Sequence, residues 1–80
     1  MKRAPVLIAN RGEIATRVAR SARALGFPVV MIYSDADRHS EHVRFGDQAI
    51  CIGGAAPKES YLNIAKVLQA AKTSGAKYIH

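Results

Sequence analysis

Residues 6–16 join a short apolar run to an amphipathic segment through one polar turn. The apolar run, residues 6–9, predicts a strand that is buried on both faces. The turn contains a single glycine, Gly12, and helical spacing of apolar residues begins directly after it. A strand that passes straight into a helix in this way is typical of nucleotide-binding α/β folds, which often place a ligand at this turn.

The first helix is predicted over residues 12–25. Four apolar residues recur at spacings of four, four and three, so they share one stripe that we expect to face the core: Ile14, Val18, Ala22 and Leu25. Gly26 follows, and glycine readily adopts the left-handed backbone that ends many helices. We therefore expect the helix to stop there.

Later segments predict three further strands, at residues 29–33, at residues 48–52 and from residue 76 onward. Ser34 and the aspartates behind it favour a short helix through about residue 45. Residues 53–57 are predicted to form a flexible loop, and Ser60 is predicted to cap a second helix that ends at Gly75. The apolar face of this second helix is expected to contain Tyr61, Ile64, Ala65, Leu68 and Ala71.

Strands and helices that alternate at this spacing favour parallel strands joined by right-handed crossovers. The sequence therefore predicts an α/β fold, a Rossmann-like three-layer sandwich with a short, mainly parallel sheet of about four strands. All of residues 1–80 are expected to form one domain.

The charge balance is basic, with 12 Lys and Arg against 6 Asp and Glu. Clustered cations would favour nucleic acid, but these are scattered and are not interleaved with the aromatic residues that stack bases. We expect no nucleic-acid partner, and a basic lobe of a protein that handles anionic substrates explains the charge equally well. No apolar run reaches the roughly 20 residues that span a bilayer, so no membrane partner is expected. The lone Cys51 is predicted to be a small core residue and fits a reducing, cytoplasmic compartment.

The turn after the first strand is a poor phosphate site. A dinucleotide site needs about three glycines at the helix N-terminus, whereas this turn has one and adds the carboxylate of Glu13. Asp35 lies 23 residues after Gly12, where a ribose-binding acid would lie, but this coincidence alone carries little weight. Glu13 is better explained as a complement to the helix dipole and as a partner of Arg17 at i+4.

Two groups of polar residues have competing interpretations. Arg17, Arg20 and Arg23 form the polar side of the first helix, which is either solvated or a protein contact. His39 and His42 lie at i, i+3 near two aspartates, an arrangement that could begin a zinc site. A third strong ligand at matching spacing is missing, so we interpret both histidines as surface residues. No nucleophile with a matching base is apparent.

Several motifs together carry a family resemblance: residues 8–15 (Ile-Ala-Asn-Arg-Gly-Glu-Ile-Ala), residues 33–37 (Tyr-Ser-Asp-Ala-Asp), His42-Val43, residues 51–53 (Cys-Ile-Gly), residues 60–64 (Ser-Tyr-Leu-Asn-Ile) and Ile79-His80. In order and spacing the chain resembles the N-terminal domain of biotin carboxylase, the ATP-dependent component of acetyl-CoA, propionyl-CoA, methylcrotonyl-CoA and pyruvate carboxylases. The resemblance implies a first domain that precedes an ATP-grasp body. It also implies an enzyme that uses ATP, bicarbonate and Mg²⁺ or Mn²⁺ to carboxylate biotin on a carrier protein or domain.

The resemblance places the family's catalytic, cofactor-binding and metal residues downstream of position 80, so we expect none in this chain and interpret it as truncated before the ATP-grasp part. The implied partners are that remaining part, the biotin carboxyl carrier, the carboxyltransferase and a second copy of the parent enzyme. Arg17 and Arg20 are expected at the subunit contact. Five residues are expected to be scaffold beside the active site: Asn10, Arg11, Gly12, Glu13 and His80.

Two segments depart from the family pattern. Residues 53–57 replace a more usual Gly-Pro-Ala-Pro loop, and Phe45-Gly46 stands where a smaller residue followed by alanine is common. An alternative from another class stays open: a stand-alone α/β module that binds a small anion or nucleotide at residues 10–13.

Overall fold

The computed structural model describes residues 3–54 and 60–80, and within them four parallel strands form one sheet. The strands are β1 (Val6–Ile8), β2 (Val29–Tyr33), β3 (Gln48–Cys51) and β4 (Tyr78–Ile79), in the spatial order β3-β2-β1-β4. β1 and β2 are central because their apolar side chains have neighbours on both faces of the sheet.

Two helices cover opposite faces of the sheet, namely α1 (Gly12–Ala24) and α2 (Ile64–Ser74). On the α1 side, Ile8 and Met31 pack with three alanines of α1. On the α2 side, Leu7 and Ile32 pack with Val67 and two alanines of α2. The predicted three-layer α/β fold with a four-stranded parallel sheet is confirmed.

The end of α1 was predicted correctly, but its buried face was not. Gly26 has φ +85°, and the N–H groups of Gly26 and Phe27 donate to the carbonyls of Arg23 and Ala22. This is the hydrogen-bond pattern of a Schellman motif. The expected stripe is wrong at Ile14 and Leu25, which are 59% and 66% exposed.

The core-facing residues of α1 are Ala15, Thr16, Ala19 and Ala22. They lie about one residue further round the helix than the predicted stripe. Small side chains bring the helix axis close to the sheet, and this close approach excludes the larger Ile14 from the interface.

The start and the buried face of α2 also differ from the prediction. The N-cap is Asn63, whose side-chain oxygen accepts the Lys66 N–H over 3.2 Å, so Ser60 is not the cap. Val67, Ala70 and Ala71 are buried, whereas Ile64 and Leu68 are exposed. Gly75 ends the helix with φ +77°, as predicted.

The segment between β2 and β3 is not one short helix. It forms two 3-10 turns, Asp35–Asp37 and Glu41–Phe45, and the Ser34 side chain makes no capping hydrogen bond to the first of them. Gly46 follows, and a Cβ at this position would collide with the Gln48 carbonyl oxygen and press on Met31. The chain therefore needs glycine at this position.

Cys51 is exposed, so its predicted place in the core is wrong. The reason is the position of β3 at the edge of the sheet, where one side of the strand faces solvent. Its thiol donates to the Asp35 carboxylate over 3.2 Å. Of the predicted loop at residues 53–57, only Gly53 and Gly54 belong to the described residues; the flexibility predicted for 55–57 lies outside them.

Two exposed apolar residues of α1 lie on the side of the molecule that carries β4. The opposite side of α1 contacts the Glu41–Phe45 turn, because the Arg20 guanidinium lies 5.5 Å from the Phe45 ring and Arg23 donates to the Phe45 carbonyl. That turn packs on β2. Ile14 and Leu25 point away from it and therefore towards β4.

The same asymmetry holds for α2 on the other face. Gln69 and Thr73 line a cleft with β3 residues, so Ile64 and Leu68 on the other side of the helix face β4. In β4 itself, Tyr78 and Ile79 are 53% and 46% exposed. We call these six residues the β4 flank: Ile14, Leu25, Ile64, Leu68, Tyr78 and Ile79. Within the described residues, no helix is both long enough and apolar enough to cross a membrane.

Candidate functional site

The candidate site lies at the carboxyl ends of β1, β2 and β4. The chain leaves β1 for β2 on one side, while β4 lies on the other side of β1, and parallel sheets commonly bind ligands at such a reversal. The Asn10 side chain donates to the His80 carbonyl over 3.3 Å, and the Ala9 N–H donates to the same carbonyl over 2.9 Å. The structure thus brings the expected scaffold residues Asn10 and His80 together.

Arg11 leaves this turn towards the segment after β2. Its guanidinium pairs with Asp37 at 3.4 Å and lies 5.6 Å from the centre of the Tyr61 ring. The Tyr61 hydroxyl donates to the same carboxylate over 2.8 Å. Burial works to raise the pKa of Asp37, but the hydrogen bond from Tyr61 and the guanidinium of Arg11 outweigh it and hold the pKa below its ordinary value.

Tyr61 contacts two other segments of the chain, whereas the sequence pattern predicted only a position on a helix face. Its hydroxyl accepts the Ser34 N–H over 3.1 Å while it donates to Asp37. Burial raises the pKa of Tyr61, and the adjacent Asp37 carboxylate adds to this effect against the opposing effect of the Ser34 N–H. The only sequence signal that Tyr61 has a role beyond this helix face was its place in the family motif at residues 60–64.

His42 is buried at 1% exposure, so the prediction that it is a surface residue is wrong, whereas His39 is exposed. The Gly12 N–H donates to His42 Nδ1 over 3.3 Å, and His42 Nε2 lies 3.3 Å from the Ile32 carbonyl oxygen. Both contacts are satisfied by the ring that carries its proton on Nε2. The histidine is buried because the fold offers a partner to each ring nitrogen.

The arginine side of α1 borders a cleft of about 410 Å³ that Glu13, Arg17, Arg20, Glu41 and His42 help to line. Arg17 and Arg20 are exposed, and Arg20 lies over the Phe45 ring. The expected ion pair between Glu13 and Arg17 is not formed within the described part of the chain. The third arginine of this side, Arg23, forms an ion pair with Asp47, with 3.6 Å between its guanidinium nitrogen and the carboxylate oxygen.

The N-terminus of α1 is not open to a phosphate at Gly12, because His42 already accepts that N–H. Glu13 adds negative charge to the first turn. Asp35, the acid at ribose-binding spacing, contacts Arg38 and the Cys51 thiol. Among residues 3–54 and 60–80, no three His, Cys, Asp or Glu side chains lie close enough together to hold a metal ion.

Five of the seven arginines contact another side chain of the domain. Arg3 lies over Phe27, Arg11 and Arg38 pair with aspartates, Arg20 lies over Phe45, and Arg23 contacts Asp47.

Comparison with known proteins adds the family. A sequence family described as "Biotin carboxylase, N-terminal domain" matches residues 2–80. The chain is 56% identical to the mitochondrial methylcrotonoyl-CoA carboxylase subunit alpha of Oryza sativa subsp. japonica, over 94% of this chain and 10% of the relative. It is 49% identical to biotin carboxylase 1 of Bacillus subtilis (strain 168), over 94% of this chain and 17% of the relative.

Solved structures show the same similarity in three dimensions. A Campylobacter jejuni biotin carboxylase in complex with β-γ-ATP superposes with a TM-score of 0.89 at 43% identity, over 94% of this chain and 17% of that one. A complete multifunctional pyruvate carboxylase from Rhizobium etli superposes with a TM-score of 0.90 at 40% identity, over 96% of this chain and 8% of that one. The chain therefore corresponds to a small part of much longer proteins.

Proposed function

Because the chain belongs to the family of biotin carboxylase N-terminal domains, we propose that it acts as the first domain of an ATP-dependent biotin carboxylase and supplies structure and subunit contact, not catalytic groups. The whole enzyme would use ATP, bicarbonate and Mg²⁺ or Mn²⁺ to carboxylate biotin on a carrier protein or domain. A carboxyltransferase would then consume the carboxylated biotin. We place the enzyme in the cytoplasm, with which the lone Cys51 is compatible.

The β4 flank is the observation that carries this proposal. Six large apolar side chains lie exposed around one edge strand, on both faces of the sheet. Large exposed apolar side chains that cluster in this way favour a contact with other protein, and β4, the outer strand of the described sheet, offers backbone hydrogen bonds at its centre. Further polypeptide of the carboxylase would cover this side, in agreement with relatives that are several times longer than the chain.

We propose that the described residues hold no ATP, divalent metal or biotin. The Gly12 N–H is bonded to His42, and Glu13 would repel a phosphate at the same helix end. The segments that follow β1 and β4 are joined to each other by the hydrogen bond from the Asn10 side chain to the His80 carbonyl. Their proposed role is to fix the shape of the wall beside which the catalytic part of the enzyme lies.

Arg17 and Arg20 are the proposed subunit contact. Both guanidinium groups are exposed on one surface of α1, and Glu13 and Glu41 line the same cleft. A surface that carries both signs of charge can complement a second copy of itself across a two-fold axis.

The proposal is tested by titrating the ¹⁵N-labelled 80-residue chain with ATP, bicarbonate and biotin, each with Mg²⁺, and following the amide signals by NMR. We expect no saturable shift at residues 10–13. Saturable shifts confined to that turn would instead support the stand-alone anion-binding module and contradict the scaffold role.

A further inference from the structure

His42 is the buried group that the proposed function leaves without a role. It belongs to the Glu41–Phe45 turn and reaches two other segments, the N-terminus of α1 through Gly12 and the end of β2 through Ile32. Arg11, the N-cap residue of α1, makes no side-chain capping bond. The ring of His42 is therefore the side chain that fixes the first N–H of this helix.

Two clefts meet at this contact, and both are lined by Gly12 and His42. The first, of about 410 Å³, also contains Arg17 and Arg20. The second, of about 310 Å³, contains Arg11 and lies at the carboxyl ends of the strands. The Gly12–His42 hydrogen bond thus lies between the arginine surface of α1 and the turn at residues 9–11, which contacts the end of β4.

Three contacts, joined by the backbone of residues 42–45 and 10–12, lead across this hydrogen bond. Arg20 lies over the ring of Phe45, at the end of the turn that carries His42. His42 accepts the Gly12 N–H, and two residues earlier the Asn10 side chain donates to the His80 carbonyl. A displacement of Phe45 would move the imidazole, and the imidazole would move the turn that holds the end of β4.

We propose that His42 is a positioning residue that couples the arginine surface of α1 to the carboxyl end of β4 through its hydrogen bond with Gly12. The inference rests on the proposed function for its purpose, because a partner seated on Arg20 would then adjust the wall beside the catalytic part. The coupling itself is a property of the 80-residue chain and is measurable there.

Two conservative variants separate the two hydrogen bonds of the ring. In His42→Asn the amide oxygen takes the place of Nδ1 and can still accept from Gly12. In His42→Gln the amide nitrogen takes the place of Nε2 and can still donate to the Ile32 carbonyl. A residue that only fills space would be replaced better by the larger glutamine, whereas coupling through Gly12 requires the asparagine.

The experiment records how Arg20→Ala shifts the His80 amide and Asn10 side-chain amide signals in three backgrounds: unchanged His42, His42→Asn and His42→Gln. We expect clear shifts in the first two backgrounds and their loss in the third, the comparison that isolates a coupling. Arg17→Ala is the matched control. Arg17 lies closer to Gly12 along α1 but has no cation–ring contact with Phe45 among the described residues, so Arg17→Ala should leave both signals in place.

Equal shifts in all three backgrounds, no shift in any of them, or a larger effect of Arg17→Ala would overturn the proposal. Amide spectra of each variant show whether it is folded, and the Asn and Gln variants are compared only with their own parents. A failure of the subunit-contact role would leave this result unaffected, so the two inferences fail separately.

Discussion

At the scale of single residues, the structure depends on side chains that join segments far apart in the sequence. Tyr61 accepts the Ser34 N–H and donates to Asp37, which pairs with Arg11. His42 does the same for Gly12 and Ile32. No local pattern encodes these contacts, which span 10 to 30 residues. The sequence therefore predicts only a helix face for Tyr61 and a surface position for His42.

Removing one hydroxyl tests the first of these junctions. Tyr61→Phe should lower the free energy of unfolding by about 1–3 kcal/mol, because the Ser34 N–H loses its acceptor in a partly buried place. Urea unfolding measures the change. Tyr33→Phe is the matched control, since its ring contact with Arg38 survives the substitution. Equal stability of the Tyr61 variant and the original chain would show that the hydroxyl orders nothing.

The lowered pKa of Asp37 predicts a loss of stability in acid. A carboxyl whose pKa is lower in the folded chain stabilises the fold above its unfolded pKa of about 3.9, and this contribution is lost as the pH falls through the folded value. The free energy of unfolding should therefore decline below about pH 4. Asp37→Asn, which cannot ionise, should decline less steeply over the same range, and parallel curves would contradict the assignment.

At the scale of elements, the strands and helix ends were predictable and the helix faces were not. Apolar runs identified the first three strands, a mixed segment from residue 76 onward identified the fourth, and Gly26 and Gly75 marked both helix ends. The faces failed because sequence reasoning assigns the largest apolar residues to the core, whereas α1 buries alanines and leaves Ile14 exposed. The large apolar residues that these helix faces leave exposed belong to the β4 flank.

The arginine surface of α1 is tested in a chimera in which this chain replaces the matching segment of Bacillus subtilis biotin carboxylase 1. Arg20→Glu should weaken self-association, because it places a carboxylate where the partner offers Glu13 or Glu41. Sedimentation velocity at micromolar concentration measures the effect. Lys72→Glu is the control, because it changes the net charge by the same amount at an exposed position on α2. Identical sedimentation of both variants would exclude this surface from the contact.

The same chimera tests whether the β4 flank is buried in the larger protein, with Leu68→Gln as the substitution. Leu68→Gln should change the stability of the 80-residue chain by less than about 0.5 kcal/mol, since the side chain is already 54% exposed. In the chimera it should cost about 1–3 kcal/mol, because the larger protein would bury it. Leu62→Gln, at an exposed leucine outside the β4 flank, should be tolerated in both. Equal tolerance of Leu68→Gln in both proteins would show that nothing packs there.

At the scale of the whole molecule, fold class and family followed from the sequence because both depend on the order of motifs along the chain. The proposed scaffold role rests on two three-dimensional observations that the sequence did not reveal. His42 closes the turn where a ligand would be expected, and apolar residues from both helices gather beside one strand. Both observations support the proposed scaffold role.

The most direct test of this account compares bicarbonate- and biotin-dependent ADP release by three proteins. These are the chimera, the same Bacillus subtilis enzyme without its matching segment, and the 80-residue chain alone. We predict turnover by the chimera and none by the other two. Turnover by the 80-residue chain would contradict the account, as would an inactive chimera that is folded.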